Sequence, residues 1–282
     1  MANVYWIDGS FVPEAEARLP VNDLALLRGY GCFDFMRTYG GRVIFLQDHI
    51  RRLRRSAGRL GIELPLGDED LARLVEETLR RNPPGEASVR LVVTGGPSPD
   101  FITPQGKPRL IVMVQPLATY PASWYEEGAA VVTVGYERAI PEAKTLDYAR
   151  AILALAEARR QGAIEALYVD SRRRVREGTT SNVFCFLGDR LVTPGEGILE
   201  GITRSKVLEL ARGRHRVEIR DLPRDELARA EEVFITSSNR LIVPIVRVDA
   251  DRIGSGRPGP RTRALMEAFA ALTRTLARGE TP

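Results

Sequence analysis

Apolar residues recur along this chain with two periods. In LQDHIRRLRRSAGRLGI, residues 46–62, Leu46, Ile50, Leu53, Ala57 and Leu60 fall three or four apart, the spacing of one helical stripe. Residues 68–82, DEDLARLVEETLRRN, repeat that period with acids at the start and arginines at the end, the order a helix dipole favours. Apolar runs predict strands over residues 88–96 and 108–116, and VYWIDG followed by SFVP predicts a hairpin turning at Asp8 and Gly9.

LATYPASWYEEG, residues 117–128, breaks the pattern as a linker would. Strand character restarts in AAVVTVGYE, and a helix is predicted over residues 145–162, ending at Gly162. AIEALYVD, RRVREG, NVFCFLG and RLVTP predict strands, as do EEVFITSS and RLIVPIVRVD; residues 202–214 and the tail RTRALMEAFAALTRTLARG predict helices. No internal repeat appears. The expected class is α/β or α+β in two domains. A first half over residues 1–117, a linker over 118–128 and a strand-rich second half carrying Lys144 over 129–282 are expected.

Composition then narrows the function. No apolar run approaches the ~20 residues of a membrane span, and the opening MANVYWIDGS has neither the basic start nor the apolar core of a secretion signal. The isoelectric point is near 9.2 but the net charge is only +4. No basic-aromatic motif points to nucleic acid, and the densest basic cluster, HIRRLRRSAGR, reads as a solvated helix face. The two cysteines, Cys32 and Cys185, lie far apart in apolar settings, which predicts packed thiols in a reduced, cytoplasmic protein. The two histidines, His49 and His215, neighbour no nucleophile motif and supply too few ligands for zinc. The expectation is no metal, and a proton carrier other than histidine.

That turns attention to lysine. Of 41 basic side chains only Lys107, Lys144 and Lys206 are lysines. Lys144 precedes the predicted helix, where the dipole disfavours a cation. A Schiff base requires a primary amine that can lose its proton, which guanidinium cannot supply. In VREGTTSNVF, Glu177 ends a strand, and a buried carboxylate is the simplest way to keep a pyridine nitrogen protonated. Gly201 and Thr203 stand at a helix start, where unpaired N–H groups bind phosphate. FITSSN runs a strand into hydroxyl residues.

In this order, YGCFDFMRTYGG, HIRRLRRSA, KTLDYARAILA, YVDSRRRVREGTTSNVF, LEGITRSKVLELA, EEVFITSSNRLIVPI and GPRTRALMEAF resemble the fold-type IV (class IV) pyridoxal-phosphate aminotransferases over roughly residues 3 to 270. The resemblance implies a small α/β domain, a linker and a larger pseudo-barrel domain, with the cofactor between them and a homodimer that shares its sites. It implies that Lys144 forms the Schiff base, Glu177 bonds the pyridine nitrogen, Tyr148 bonds the ring hydroxyl and Leu199 packs on the ring. Arg52, the backbone of Ile202, Thr203 and Ser238 would hold the phosphate. Two positions depart from the family pattern: Asp147 replaces an asparagine, and Leu241 stands where many members have glutamate.

For the substrate, the arginine and histidine that hold carboxylate in well-known D-amino acid enzymes are replaced by Gly95 and Pro97. Arg90 occupies a strand position where branched-chain enzymes carry arginine, and Arg28 precedes a loop that in this family reaches the neighbouring subunit's site. Two guanidinium groups would suit a dicarboxylate. The expected activity is transamination between a D-amino acid such as D-glutamate or D-alanine and 2-oxoglutarate or pyruvate. The alternative is a branched-chain L-amino acid aminotransferase, and a third is an aminodeoxychorismate lyase.

Overall fold

A computed structural model describes residues 3–281. Contacts divide the chain into two compact units, Met1–Ala118 with Glu142–Tyr148 and Arg274–Pro282, and Thr119–Pro141 with Ala149–Thr273. The architecture is mixed α/β, as the apolar periods predict.

In the first unit, six antiparallel strands run in the order Ser10–Pro13, Val4–Ile7, Arg109–Pro116, Ala87–Thr94, Gly31–Tyr39, Arg42–Val43. Side chains alternate across a strand, so the sheet has two different faces. Cys32, Met36, Val89, Leu91 and Val93 share a core with Ile50 and Leu53 of the helix Leu46–Arg59 and with Leu71 and Val75 of the helix Asp68–Arg80. Phe33, Phe35 and Arg90 have the opposite parity, with Phe35 paired to Arg90 across the ladder.

The second unit is built on a ten-stranded sheet. Its path is Arg216–Ile219, Arg190–Thr193, Asn182–Leu187, Glu232–Ser237, Leu241–Val248, Ala129–Gly135, Glu165–Val169, Arg174–Gly178 and Leu222–Pro223, with Asp251–Arg252 added beside Leu241–Val248. The two strands at the ends of that path are separated in sequence by only Arg220 and Asp221. A flat sheet cannot place consecutive strands at opposite edges, so this one curls. Val131, Leu167, Val175, Val183, Val233 and Val243 fill its core. The helix Ala149–Arg160 connects the parallel strands Ala129–Gly135 and Glu165–Val169 and buries Ala154 and Ala158 beside Val132.

Three expectations change. The helix predicted from residue 145 begins at Ala149. Residues 145 and 146 are taken by the first unit instead: Thr145 bridges Cys32, and the Leu146 N–H donates to Gly31 O at 2.9 Å. Lys144 therefore does not sit at a helix start, and the dipole argument for it lapses. The same contacts group Glu142–Tyr148 with the first unit. The basic cluster is not uniformly solvated either, because His49 and Arg52 are buried while Arg51, Arg54, Arg55 and Arg59 are exposed. Within the stretch read as a linker, Ser123–Glu126 forms a short helix. No described helix is long and apolar enough to cross a membrane.

Candidate active site

In the first unit the Lys144 backbone is fastened at three points. Its N–H donates to Ser56 Oγ at 3.0 Å, its carbonyl accepts from the Phe33 N–H at 2.9 Å, and Leu146 is bonded to Gly31. Gly31 allows that approach: a Cβ there would meet Val93 O at 2.5 Å and Leu146 Cδ1 at 2.6 Å. The side chain is held more loosely. Lys144 Nζ lies 3.5 Å from the Tyr148 hydroxyl and 4.7 Å from the Phe33 ring centroid. Tyr148 meets the same ring edge-on at 5.5 Å.

Arg90 stands by that ring too, with its guanidinium 5.8 Å from the Phe33 centroid and 5.3 Å from Phe35. Many arginines of this chain are paired to carboxylates, but Arg90 has no carboxylate partner among the described residues. A planar cation so placed suits a ligand carboxylate. Arg28 closes the helix Leu24–Arg28, is exposed, and donates to Leu27 O at 3.0 Å. No described contact joins it to the Phe33 group.

Arg52 is locked on the buried face of the same sheet. Its Nε and Nη2 donate to Asp34 at 2.8 and 2.9 Å, and His49 Nδ1 lies 2.6 Å from the same carboxylate. Burial alone would raise the Asp34 carboxyl, but Arg52 and His49 outweigh it and hold the group well below the usual carboxylate range. Burial drives His49 below its ordinary value, while Asp34 opposes that shift. Asp34 went unread because it is a single polar residue in an otherwise apolar pattern, and His49 was read only as lacking a nucleophile beside it. Parity within GCFDFMRTY, which aligns Asp34 with Cys32 and Met36, was the available signal.

The remaining residues belong to the second unit. Glu177 is buried at the end of Arg174–Gly178. Its Oε1 accepts from Arg138 Nη1 and its Oε2 from the Leu199 N–H, both at 2.9 Å. Asn182 Nδ2 donates to Leu199 O at 2.8 Å, so Leu199 is pinned on both sides of its α-carbon. Asn182 also dictates Gly201, where a Cβ would fall 2.1 Å from Asn182 Oδ1. Gly201 starts the helix Ile202–Ala211 with no side-chain cap, which leaves the first-turn N–H groups of Ile202 and Thr203 available to an anion.

Two observations fit a phosphate at that helix start. The Thr236 hydroxyl is buried and has no hydrogen-bond partner among the described residues. Thr236 pairs with Asn182 across the ladder, so both side chains project from one sheet face. Ser238 follows in the next turn with no hydrogen bond from its hydroxyl among the described residues, while Ser237 and Asn239 on either side bond each other at 2.8 Å. Within the second unit, a buried carboxylate, a pinned apolar side chain and an uncapped helix start beside hydroxyls fit the ring and phosphate of pyridoxal phosphate; the first unit, taken by itself, offers a primary amine at Lys144. Arg138, Asn182 and Thr236 were not identified from sequence; the unread signal for Asn182 was its amide between two strand-like runs.

Comparison with known proteins bears on this set. The family model described as amino-transferase class IV matches residues 31–248. A protein of Methanocaldococcus jannaschii carrying the provisional name branched-chain-amino-acid aminotransferase is 36% identical over 275 residues, covering 94% of each chain. D-alanine aminotransferase of Bacillus licheniformis is 30% identical, over 93% of this chain and 94% of its own. The crystal structure of a T.th. branched-chain amino acid aminotransferase with pyridoxamine 5'-phosphate superposes with a TM-score of 0.90 at 28% identity, covering 100% of this chain and 96% of that one.

Proposed function

This chain belongs to the class IV aminotransferases, and within that family we propose that it moves an amino group between a D-amino acid and a 2-oxo acid. Members of the family use pyridoxal 5'-phosphate, which when bound supplies a carbonyl for the amino group and a ring that withdraws electrons from the substrate α-carbon. In this reading Lys144 provides the amine that holds the cofactor and then carries the proton taken from the substrate α-carbon. Glu177 holds a proton at the pyridine nitrogen, Leu199 packs on the ring, and Tyr148 orients the ring hydroxyl. Arg52, Ser238 and the helix start at Ile202 and Thr203 bind phosphate.

The carrying observation for substrate choice is Arg90, a guanidinium without a carboxylate partner against the ring that also meets Lys144 and Tyr148. With the α-hydrogen directed at the lysine, exchanging the places of carboxylate and side chain inverts the enantiomer accepted. An anchor for carboxylate therefore selects the hand, and we assign Arg90 that part, with Arg28 engaging a second carboxylate in D-glutamate; the support for the D hand is the 30% identical D-alanine aminotransferase, since branched-chain enzymes also carry arginine at the Arg90 position. The branched-chain L-amino acid reading keeps a place beside it because the 36% identical relative bears that name.

Exposed apolar side chains of the first unit, among them Val21, Leu26 and Ile102, suit a second copy of the chain, as expected for a homodimer. Burial pushes the thiols of Cys32 and Cys185 up to about 12, which keeps them protonated and unreactive near neutral pH. The test is to add D-glutamate, D-alanine, L-leucine or L-glutamate separately to the loaded protein and follow the visible cofactor band. D-glutamate and D-alanine are expected to bleach it; bleaching by L-leucine and by neither D-amino acid would sink the D-specific reading.

A further inference from the structure

Leu241 opens its strand with φ of 61°, and Arg240, immediately before it, is buried. Arg240 Nη2 donates to Glu165 Oε2 at 2.5 Å and to Thr180 Oγ1 at 2.6 Å. Glu165 is completely buried on Glu165–Val169. Its carboxylate also accepts from the backbone and hydroxyl of Thr179, from those of Thr180, and from Ser181 Oγ.

One carboxylate thus organises the loop that follows Glu177, and one arginine joins that loop to the turn bearing Ser238. The Arg240 N–H donates within the turn to Ser237 Oγ at 3.3 Å and Asn239 Oδ1 at 3.0 Å, and its carbonyl accepts from the Tyr125 hydroxyl at 3.1 Å. Around Ser238, the side chains of Ser237 and Asn239 are committed, and Arg240 is held through Nη1 and Nη2 while its buried Nε has no partner among the described residues. Charge-assisted bonds are short and strong, and burial removes the water that would screen them.

We propose that Glu165 and Arg240 are positioning residues, a buried clamp that sets Ser238 for the cofactor phosphate by tying its turn to the loop after Glu177. This rests on the phosphate reading above. The clamp touches no phosphate itself, so its loss costs phosphate recognition and leaves recognition of the ring intact.

The experiment compares binding of pyridoxal 5'-phosphate and of pyridoxal to the apoenzyme, by absorbance titration, in wild type, Arg240→Lys, Arg240→Met and the double variant Glu165→Gln/Arg240→Met. Arg240→Met strands a buried carboxylate and can fail to fold. The double variant removes both charges and keeps the test alive. The expected result is a loss of pyridoxal phosphate affinity of about tenfold or more, the scale of a hydrogen bond to a charged group, with pyridoxal affinity changed less than about twofold. Arg240→Lys should recover most of the loss. Equal weakening of both ligands, or unchanged phosphate preference in a folded double variant, overturns the clamp. A wild type that binds the two ligands equally sinks the phosphate reading and the clamp with it; wild-type preference that survives in the double variant sinks the clamp alone.

Discussion

Lys144 and Glu177 are held in opposite ways. The lysine has a rigid backbone, fastened to Phe33, Ser56 and, through Leu146, Gly31, but among the described residues its amine has only a 3.5 Å contact with Tyr148 and a ring face below it. The glutamate has both oxygens engaged, one by Arg138 and one by the Leu199 N–H. A group that binds a carbonyl, releases it and carries a proton must move about a fixed pivot, whereas a group that holds one proton in place must not move. The contrast is what the proposed roles require, a lysine that works and a glutamate that stays in place.

The comparison predicts unequal consequences. Lys144→Ala should abolish the visible cofactor band and lower transamination by about four orders of magnitude or more, since nucleophile and proton carrier are lost together. Lys144→Arg should do no better, because mobility without a primary amine is useless; turnover by that variant would undo the contrast. Asp34→Asn tests the rigid side through stability. It leaves Arg52 buried and unpaired, and should cost about 3–5 kcal/mol in urea unfolding at pH 7. The sign with pH follows from the depressed Asp34 pKa. Its contribution is complete above the unfolded value of about 3.9 and fades as pH falls through the folded one, so the gap between wild type and variant should narrow in acid. A gap that stays constant as the pH is lowered would place the cost elsewhere.

Glu177→Gln keeps the shape and removes the charge. It should lower turnover by about 10- to 100-fold, the scale of a charged hydrogen bond, while cofactor affinity changes less than turnover. A larger fall in affinity than in turnover would make Glu177 a tether and blur the distinction. The smallest effect is expected at Thr236→Val, where an orphaned hydroxyl is removed. Stability should change little or rise, and phosphate-dependent cofactor binding should weaken by about 1 kcal/mol; unchanged binding would remove Thr236 from the phosphate set.

Long periodic segments were legible in the sequence, and isolated polar residues were not. The helices at Leu46–Arg59 and Asp68–Arg80 follow the predicted stripes because an apolar face repeated over three or more turns has few alternatives. The strand Gly31–Tyr39 escaped pattern reading since a buried Asp34 interrupts its apolar face, and only the Arg52 partner makes that burial tolerable. The helix start was misplaced by four residues because Thr145 and Leu146 find hydrogen bonds in the first unit, a tertiary choice that local propensity does not encode. Lys144 and Glu177 were nominated by chemical type. Asn182, Arg138 and the Glu165–Arg240 pair act by supporting other residues, and nothing in a one-dimensional pattern marks a support.

The excursion at residues 142–148 has a consequence for how this chain can be divided. A single cut through residues 118–128 would release an amino-terminal piece that lacks the strap, exposing the Phe33 N–H, the Gly31 carbonyl and the Ser56 hydroxyl that the strap satisfies. The complementary piece would carry the lysine on a tether with nothing to pin it. Splitting the gene there cannot yield two self-sufficient parts, and reassembly of the fragments would have to re-dock those seven residues before the amine regained its pivot.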